Sequence, residues 1–157
     1  MASALKTSGK QFVLLVELFQ VEKDLSEKVA QLKAARRSKI YNSNGHLIVV
    51  SEVGAFESSA ASSLVRLGAD VAFAGATDEK GRMLISARCS NTFVDKTGFS
   101  LVKDVFSELG NQFEGDGGGH PAAAAFNCKC DAVAALKKCA ELTNAALGKK
   151  LGKQVAM

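Results

Sequence analysis

The first quarter of the chain carries a helical pattern of apolar and polar positions. Between residues 11 and 40, apolar side chains recur at steps of three and four, and charged residues fill the positions between them. The recurring apolar residues are Leu14, Leu15, Leu18, Val21, Leu25, Val29 and Leu32. This spacing predicts one long amphipathic helix over residues 11–40. Residues 42–45, Asn-Ser-Asn-Gly, have the composition of a turn.

From residue 46 onward, short β-branched runs alternate with further helical segments. Strands are predicted at residues 46–53, 70–76, 82–87 and 126–130, and helices at residues 54–67, 99–109 and 132–147. Residues 114–120 are predicted to form a glycine-rich loop, and Pro121 to begin a short helical segment over residues 121–125. The predicted fold class is α/β, a mixed β-sheet flanked by helices and preceded by a long N-terminal helix. The predicted division is a helical connector over residues 1–45 and a compact domain over residues 46–157.

The composition is that of a globular protein with a slight basic excess. The chain has 157 residues, 47% hydrophobic and 23% charged, with a net charge of +4. Its apolar runs are too short to span a membrane and its N-terminus lacks the apolar core of a signal peptide, so we expect a cytoplasmic protein with no membrane partner. Two basic clusters are most simply a solvated helix face and a frayed terminus: Lys33, Arg36, Arg37 and Lys39, and Lys149, Lys150 and Lys153.

The four cysteines do not have the spacing of a metal site. Cys128 and Cys130 are separated by one residue, whereas zinc sites pair cysteines at wider spacing. We expect buried free thiols and no disulfide in a reducing compartment.

The segment Gly117-Gly118-Gly119-His120 is the strongest chemical signal in the chain. Glycines let a backbone approach a ligand closely, and the first turn of a helix after them would present free N–H groups to an anion such as a phosphate. His120 could donate a hydrogen bond or supply positive charge there. The chain lacks the spacing of a nucleoside triphosphatase loop and of a dinucleotide-binding fold.

Two motifs resemble the DHHA1 domain. GGGHPAAAAF at residues 117–126 is similar to the glycine-run, histidine and small-residue hallmark of that domain, and Ile85-Ser86-Ala87-Arg88 resembles its Ser-x-Arg strand end. The resemblance covers residues 46–147, so it identifies the compact region as a DHHA1-like substrate-binding domain.

The resemblance implies a role as the C-terminal half of a DHH phosphoesterase, closest to the RecJ-like archaeal type. Such a domain grips the terminal nucleotide or phosphate of a single-stranded nucleic acid, short oligonucleotide or nucleotide. It implies that Arg88 contacts phosphate or a base, and that Gly117, Gly118, Gly119 and His120 form the recognition loop. Arginine suits a phosphate because its planar guanidinium binds two oxygens at once.

One departure separates this chain from the whole family. It has no Asp-His-His motif and only two histidines, His46 and His120, so no catalytic residues and no metal ligands are assigned. No cofactor is expected in this chain, whereas two manganese ions are expected in a DHH catalytic domain that it lacks. Ala125 also stands where the family often has glycine. Whether the chain has enzymatic activity of its own is therefore left open.

Three other functions remain open. His120 could act as a general acid or base beside Asp116 or Glu114, although no second base or nucleophile accompanies them. The helix over residues 11–40 could form a homodimer or dock to another protein, with the glycine segment a vestigial loop. The domain could also bind RNA, as the related C-terminal domain of alanyl-tRNA synthetases does. Two of these residues also have structural interpretations. His46 stands at the start of a strand, where histidine is usually structural, and Arg88 could form a surface ion pair.

Overall fold

The computed structural model describes residues 11, 13 and 25–155 of the chain. Residues 11 and 13 are helical, and residues 25–37 form helix α1. Most of the helix predicted from residue 11 lies outside the described residues. Its predicted end at residue 40 is wrong by three residues, because the chain is already extended at Lys39.

Six strands form one mixed sheet in the order β1-β2-β3-β4-β6-β5. They are β1 (Lys39–Ser43), β2 (His46–Glu52), β3 (Val71–Thr77), β4 (Met83–Cys89), β5 (Asp116–His120) and β6 (Ala123–Cys128). Strands β2 and β3 are parallel, and every other neighbouring pair is antiparallel. The remaining helices are α2 (Glu57–Arg66), α3 (Asn91–Thr97), a π-helical turn (Leu101–Phe106) that continues into α4 (Ser107–Phe113), and α5 (Ala132–Val155). The predicted fold class, a mixed sheet flanked by helices after an N-terminal helix, is confirmed.

The turn predicted at residues 42–45 joins β1 to β2. Asn44 and Gly45 have φ angles of 53° and 85°, and the Gly45 N–H donates to Asn42 Oδ1 over 2.9 Å. Positive φ at both central residues is the geometry of a tight hairpin, for which Asn-Gly is well suited. The sheet therefore begins at Lys39, inside the segment predicted to be a connector, and the division into domains stays a prediction.

The two faces of the sheet are covered differently. One face packs on the π-helical turn, α4 and α5, and this face holds the aromatic core, in which Phe106 stacks on Phe126 with ring centroids 5.5 Å apart. The other face packs on α1 and α2 over β2, β3 and β4, mostly through alanines. Strands β6 and β5 extend beyond α2 on this second face, where Ala123 and Ala125 are only half-buried and all of β5 is exposed.

The prediction of a glycine loop followed by a helix is wrong. Residues 116–120 form strand β5, Pro121 and Ala122 form a turn, and residues 123–128 form strand β6 between β4 and β5. Alanine favours helices and glycine disfavours strands, but pairing with β4 and burial of Phe126 outweigh these local preferences. No helix begins after Gly119, so the argument for a phosphate at a helix N-terminus does not apply.

The cysteines are of two kinds. Cys89 and Cys139 are free and buried, as expected. Burial raises the pKa of both thiols, and the charge of Asp70 raises the pKa of Cys89 further. Cys128 and Cys130 are joined in a disulfide, so the expectation of free thiols is wrong for this pair. The chain bends after β6, which leaves their Cα atoms 5.5 Å apart, within disulfide range.

Candidate functional site

Arg88, Ala123 and His120 form one row across three adjacent strands. Arg88 of β4 pairs with Ala123 of β6, and Ala123 pairs with His120 of β5. Directly opposed residues of antiparallel strands project to the same face. Ala87 and Ala124, their neighbours in sequence, belong to the aromatic core. Arg88 and His120 therefore lie on the other, partly open face, about 10 Å apart across two strand spacings.

Two further rows continue this surface toward the other end of the strands. Ser86 and Gly118 flank Ala125, and the next row consists of Leu84, Asn127 and Asp116. The floor in front of Arg88 and His120 is thus made of alanine and glycine. We call the small side chains of these rows the small-residue floor: Ser86, Gly118, Ala123 and Ala125.

The Arg88 guanidinium is held in place by neutral oxygens. Nη1 donates to the Ala87 carbonyl over 2.7 Å, and Nη2 donates to Ser58 Oγ, in the first turn of α2, over 2.5 Å. Within the described part of the chain, no carboxylate lies within 4.0 Å of Arg88, which contradicts its interpretation as a surface ion pair. The guanidinium is oriented while its charge remains available to an anion.

His120 is presented by a hairpin that two backbone bonds tie to the sheet and its helices. The Cys89 N–H donates to the Ala122 carbonyl over 2.9 Å, and the Leu101 N–H donates to the Pro121 carbonyl over 3.0 Å. The first bond places the turn beside Cys89, the residue that follows Arg88. His120 is exposed, and its ring forms no hydrogen bond or ion pair with another described residue. A purely structural role for the His120 ring, as a hydrogen bond that fastens the segment to the rest of the domain, is therefore not seen among the described residues.

Three of the glycines near His120 are needed for packing. A Cβ on Gly117 would lie 2.8 Å from the Phe126 ring, and one on Gly119 would lie 2.5 Å from the Ala123 carbonyl oxygen. A Cβ on Gly115 would also collide with the Phe126 ring and the Asn127 carbonyl. Gly118 differs, because a Cβ there would meet nothing within 4 Å. Such a Cβ would project to the open face of the sheet, beside Ala125. The fold would therefore accept a side chain at position 118.

The carboxylates suggested as partners of His120 lie away from it. Asp116 and His120 stand at opposite ends of β5, about 13 Å apart at an extended rise per residue, and Glu114 is more distant along the chain. A hydrogen-bonded acid–base pair between His120 and either carboxylate is excluded by this separation.

The described residues contain no cluster of three or more His, Cys, Asp or Glu side chains that could hold a metal ion. Nor does any described helix have the length and apolarity needed to cross a membrane. His46 has a structural position, since its Nδ1 lies 3.6 Å from Asp70 Oδ2 and its ring packs edge-on against Phe93.

Sequence reasoning missed Ser58 and the small-residue floor. Ser58 lies 30 residues before Arg88 in a helix, and nothing in its neighbourhood signals an arginine partner. The strand over residues 123–128 has a core face and an open face. The sequence does not show this alternation, because residues 123–125 are all alanine.

Comparisons with known proteins agree with this architecture. No family model matches the chain. It is 34% identical over 121 residues to Uncharacterized protein MJ0988 of Methanocaldococcus jannaschii, a match that covers 76% of the chain. The chain spans only 36% of the length of that relative.

Two solved structures share the fold. The DHH domain structure of PF0399, a member of the s1p family of ribosomal proteins, superposes with a TM-score of 0.62 and 15% identity, covering 83% of this chain and 33% of that one. The C-Ala domain of Aquifex aeolicus alanyl-tRNA synthetase superposes with a TM-score of 0.53 and 19% identity, covering 69% of this chain and 97% of that domain. Both are consistent with a DHHA1-like fold.

Proposed function

We propose that this domain binds the phosphate-bearing end of a single-stranded nucleic acid, short oligonucleotide or nucleotide on the small-residue floor. The observation that carries the proposal is the row Arg88–Ala123–His120 on an open face of the sheet. Arg88 would bind the phosphate through the part of its guanidinium that Ser58 and the Ala87 carbonyl leave free. His120 would contact the same group from the other side of Ala123.

The floor is suited to the flat parts of a nucleotide. Ala123, Ala125 and Gly118 leave space above the sheet in which a ribose or a base can lie close to the backbone. Strand β5 is also an edge strand, so one side of its backbone carries N–H and C=O groups that no neighbouring strand uses. Asp116 stands at the other end of β5 from His120. Because its carboxylate would repel a phosphate, we place the phosphate at the end near Arg88 and His120.

We further propose that the domain serves a RecJ-like phosphoesterase of the archaeal type in the cytoplasm. In this proposal a DHH catalytic domain holds two manganese ions and performs hydrolysis, while Arg88, His120 and the small-residue floor position the substrate end. Positioning of this kind contributes to the rate without making or breaking a bond. The proposal draws on the motifs at residues 85–88 and 117–126, on the DHH domain named for the superposed structure, and on the greater length of the relative.

Two alternatives have an observation of their own. The superposition on nearly the whole C-Ala domain favours RNA binding in the manner of that domain. The exposure of Leu25 and Leu32 on α1, 67% and 72%, favours a homodimer or a protein partner through the helix over residues 11–40. Exposed apolar side chains on one helix face often mark an interaction surface.

Arg88→Ala and His120→Ala are each expected to weaken the binding of a short 5′-phosphorylated single strand while leaving the fold intact. Loss of a charge-assisted hydrogen bond of ~1.5–3 kcal/mol corresponds to roughly a 10- to 150-fold weaker affinity for Arg88→Ala. The His120→Ala variant should lose about fivefold, as for one ordinary hydrogen bond. Fluorescence anisotropy titrations with DNA and RNA strands measure both effects.

Two controls make the result specific. Arg66→Ala removes the same charge from α2, where the Arg66 side chain donates a hydrogen bond to Ser63, and should leave affinity unchanged. Strands without the 5′ phosphate should bind the native domain weakly and show little response to either variant. Affinities equal to the native value in both Arg88→Ala and His120→Ala would remove the proposal. A domain that is an obligate dimer by size-exclusion chromatography and indifferent to nucleotides in these titrations would favour the helix-mediated alternative.

A further inference from the structure

A cavity lies at the β1 edge of the sheet, far from β5, on the face that packs against α5. It occupies about 240 Å³ between strands β1 and β2 and the first turns of α5. Lys39 and Tyr41 of β1 pair with Val50 and Ile48, two residues of the aromatic core, so their side chains project to the α5 face. Strands β2, β3, β4 and β6 separate β1 from β5, the strand that carries His120.

Three cations converge on this cavity from three different elements. Arg37 comes from the end of α1, Lys39 from β1 and Lys137 from α5, and Glu52 is the single carboxylate in the lining. Three positive charges and one negative leave a net charge of +2. In the part of the chain that the structure describes, none of these four side chains forms an ion pair. All three cations are solvent-exposed, and without ion-pair partners among the described residues their charges are available to an anion.

The rest of the lining suits an organic ligand. Val50 and Leu136 form an apolar floor, each only 4% exposed, and the Tyr41 ring stands at the rim with 38% of its surface exposed. The cavity is smaller than the ~300–1,000 Å³ of pockets for drug-sized molecules. Its volume fits one sugar ring with its phosphate, and the sugar ring would then lie beside the Tyr41 ring.

We propose that this cavity is a second anion site, which binds the phosphate of a small phosphorylated sugar or mononucleotide with Arg37, Lys39 and Lys137 and packs the attached ring against Tyr41. The site is independent of the small-residue floor, since it shares no residue with it. It also assigns a role to part of the basic cluster around residue 36, because Arg37 and Lys39 meet Lys137 from a segment about 100 residues away.

The sequence provides a direct reporter for this site. Tyr41 is the only tyrosine of the chain, which has no tryptophan. Titration with ribose 5-phosphate, which does not absorb with tyrosine, should therefore change the intrinsic fluorescence of the native protein to saturation. Unphosphorylated ribose should produce no change at the same concentrations. Calorimetry under the same conditions gives a second reading of the affinity.

Charge-neutralising variants decide whether the cavity is responsible. Arg37→Gln and Lys137→Gln should each weaken the binding of ribose 5-phosphate about tenfold. Lys80→Gln, which removes an exposed charge in the β3–β4 turn, should retain native affinity. Absence of a fluorescence change, or an equal loss in all three variants, would overturn the proposal, the latter by showing general attraction to a basic protein. Inorganic phosphate that binds as tightly as ribose 5-phosphate would overturn the part played by Tyr41 and the apolar floor.

Discussion

Gly119→Ala is expected to destabilise the domain by about 2–6 kcal/mol, the sum of backbone strain and overpacking. Gly119 has a φ angle of 138°, a conformation that residues with a Cβ rarely adopt. Its Cβ would also stand 2.5 Å from the Ala123 carbonyl oxygen and 2.7 Å from Ala124 Cα. Both obstacles are backbone atoms of the paired strand, so they can retreat only by opening the β5–β6 ladder.

The neighbouring glycine is the matched control for this prediction. Gly118→Ala makes the same chemical change one residue away, where the Cβ meets nothing within 4 Å and φ lies outside the positive region. Its free energy of unfolding should change by less than ~1 kcal/mol. Denaturant titrations of both variants measure the difference. Equal stabilities of Gly118→Ala and Gly119→Ala would contradict the assignment of Gly119 to packing.

The sequence predicts the alternation of helices and strands better than the pairing between strands. Strand β2 and helix α2 were predicted within a few residues, because their β-branched run and glycine punctuation are strong local signals. Strand β5 could not be predicted in this way, since glycine has a low strand propensity and the segment is held by its partner β6 and by Phe126. Strand β1 was not predicted, because its residues were divided between the end of the predicted helix at residue 40 and the predicted turn at residues 42–45.

The same limit applies to the candidate site. The motifs single out Arg88 and His120, and strand register brings both to one face beside Ala123. The mechanism first inferred for them, a loop that leads into a helix, is wrong because residues 123–128 pair with β4. Residue identity was informative at this site because glycine, histidine and arginine have restricted uses. The register could not be predicted from the sequence, because the pairing of β4 with β6 joins segments more than 30 residues apart.

The four glycines between residues 115 and 119 fall into two groups. Gly115, Gly117 and Gly119 allow β5 to lie against Phe126 and β6, and this is a demand of the fold. Gly118 projects to the other face, between Ala125 and solvent, where the fold would accept a side chain. In the proposed function, the ligand would occupy the space that Gly118 leaves open beside Arg88 and His120.

Gly118→Val is therefore expected to weaken the binding of a 5′-phosphorylated oligonucleotide while leaving stability near that of the native domain. Valine is favoured in strands and would stand on the small-residue floor, where the proposed sugar or base would lie. A forced displacement costing ~1–3 kcal/mol corresponds to roughly a 5- to 150-fold loss of affinity. Anisotropy titrations measure this loss, and the denaturation midpoint of the same protein shows whether the fold is retained.

The salt dependence of binding distinguishes the two variants, because Gly118→Val blocks the ligand sterically whereas Arg88→Ala removes a positive charge. Binding to Arg88 includes an electrostatic contribution that weakens as salt rises, so Arg88→Ala should reduce the slope of log affinity against log salt. Gly118→Val leaves Arg88 and His120 in place, so its slope should equal the native one although its affinity is lower. Gly118→Ala should fall between the valine variant and the native domain, because a single methyl fills less of the space. If Gly118→Val binds the oligonucleotide as tightly as the native domain, the ligand does not lie on the small-residue floor and Arg88 must hold it from outside the sheet.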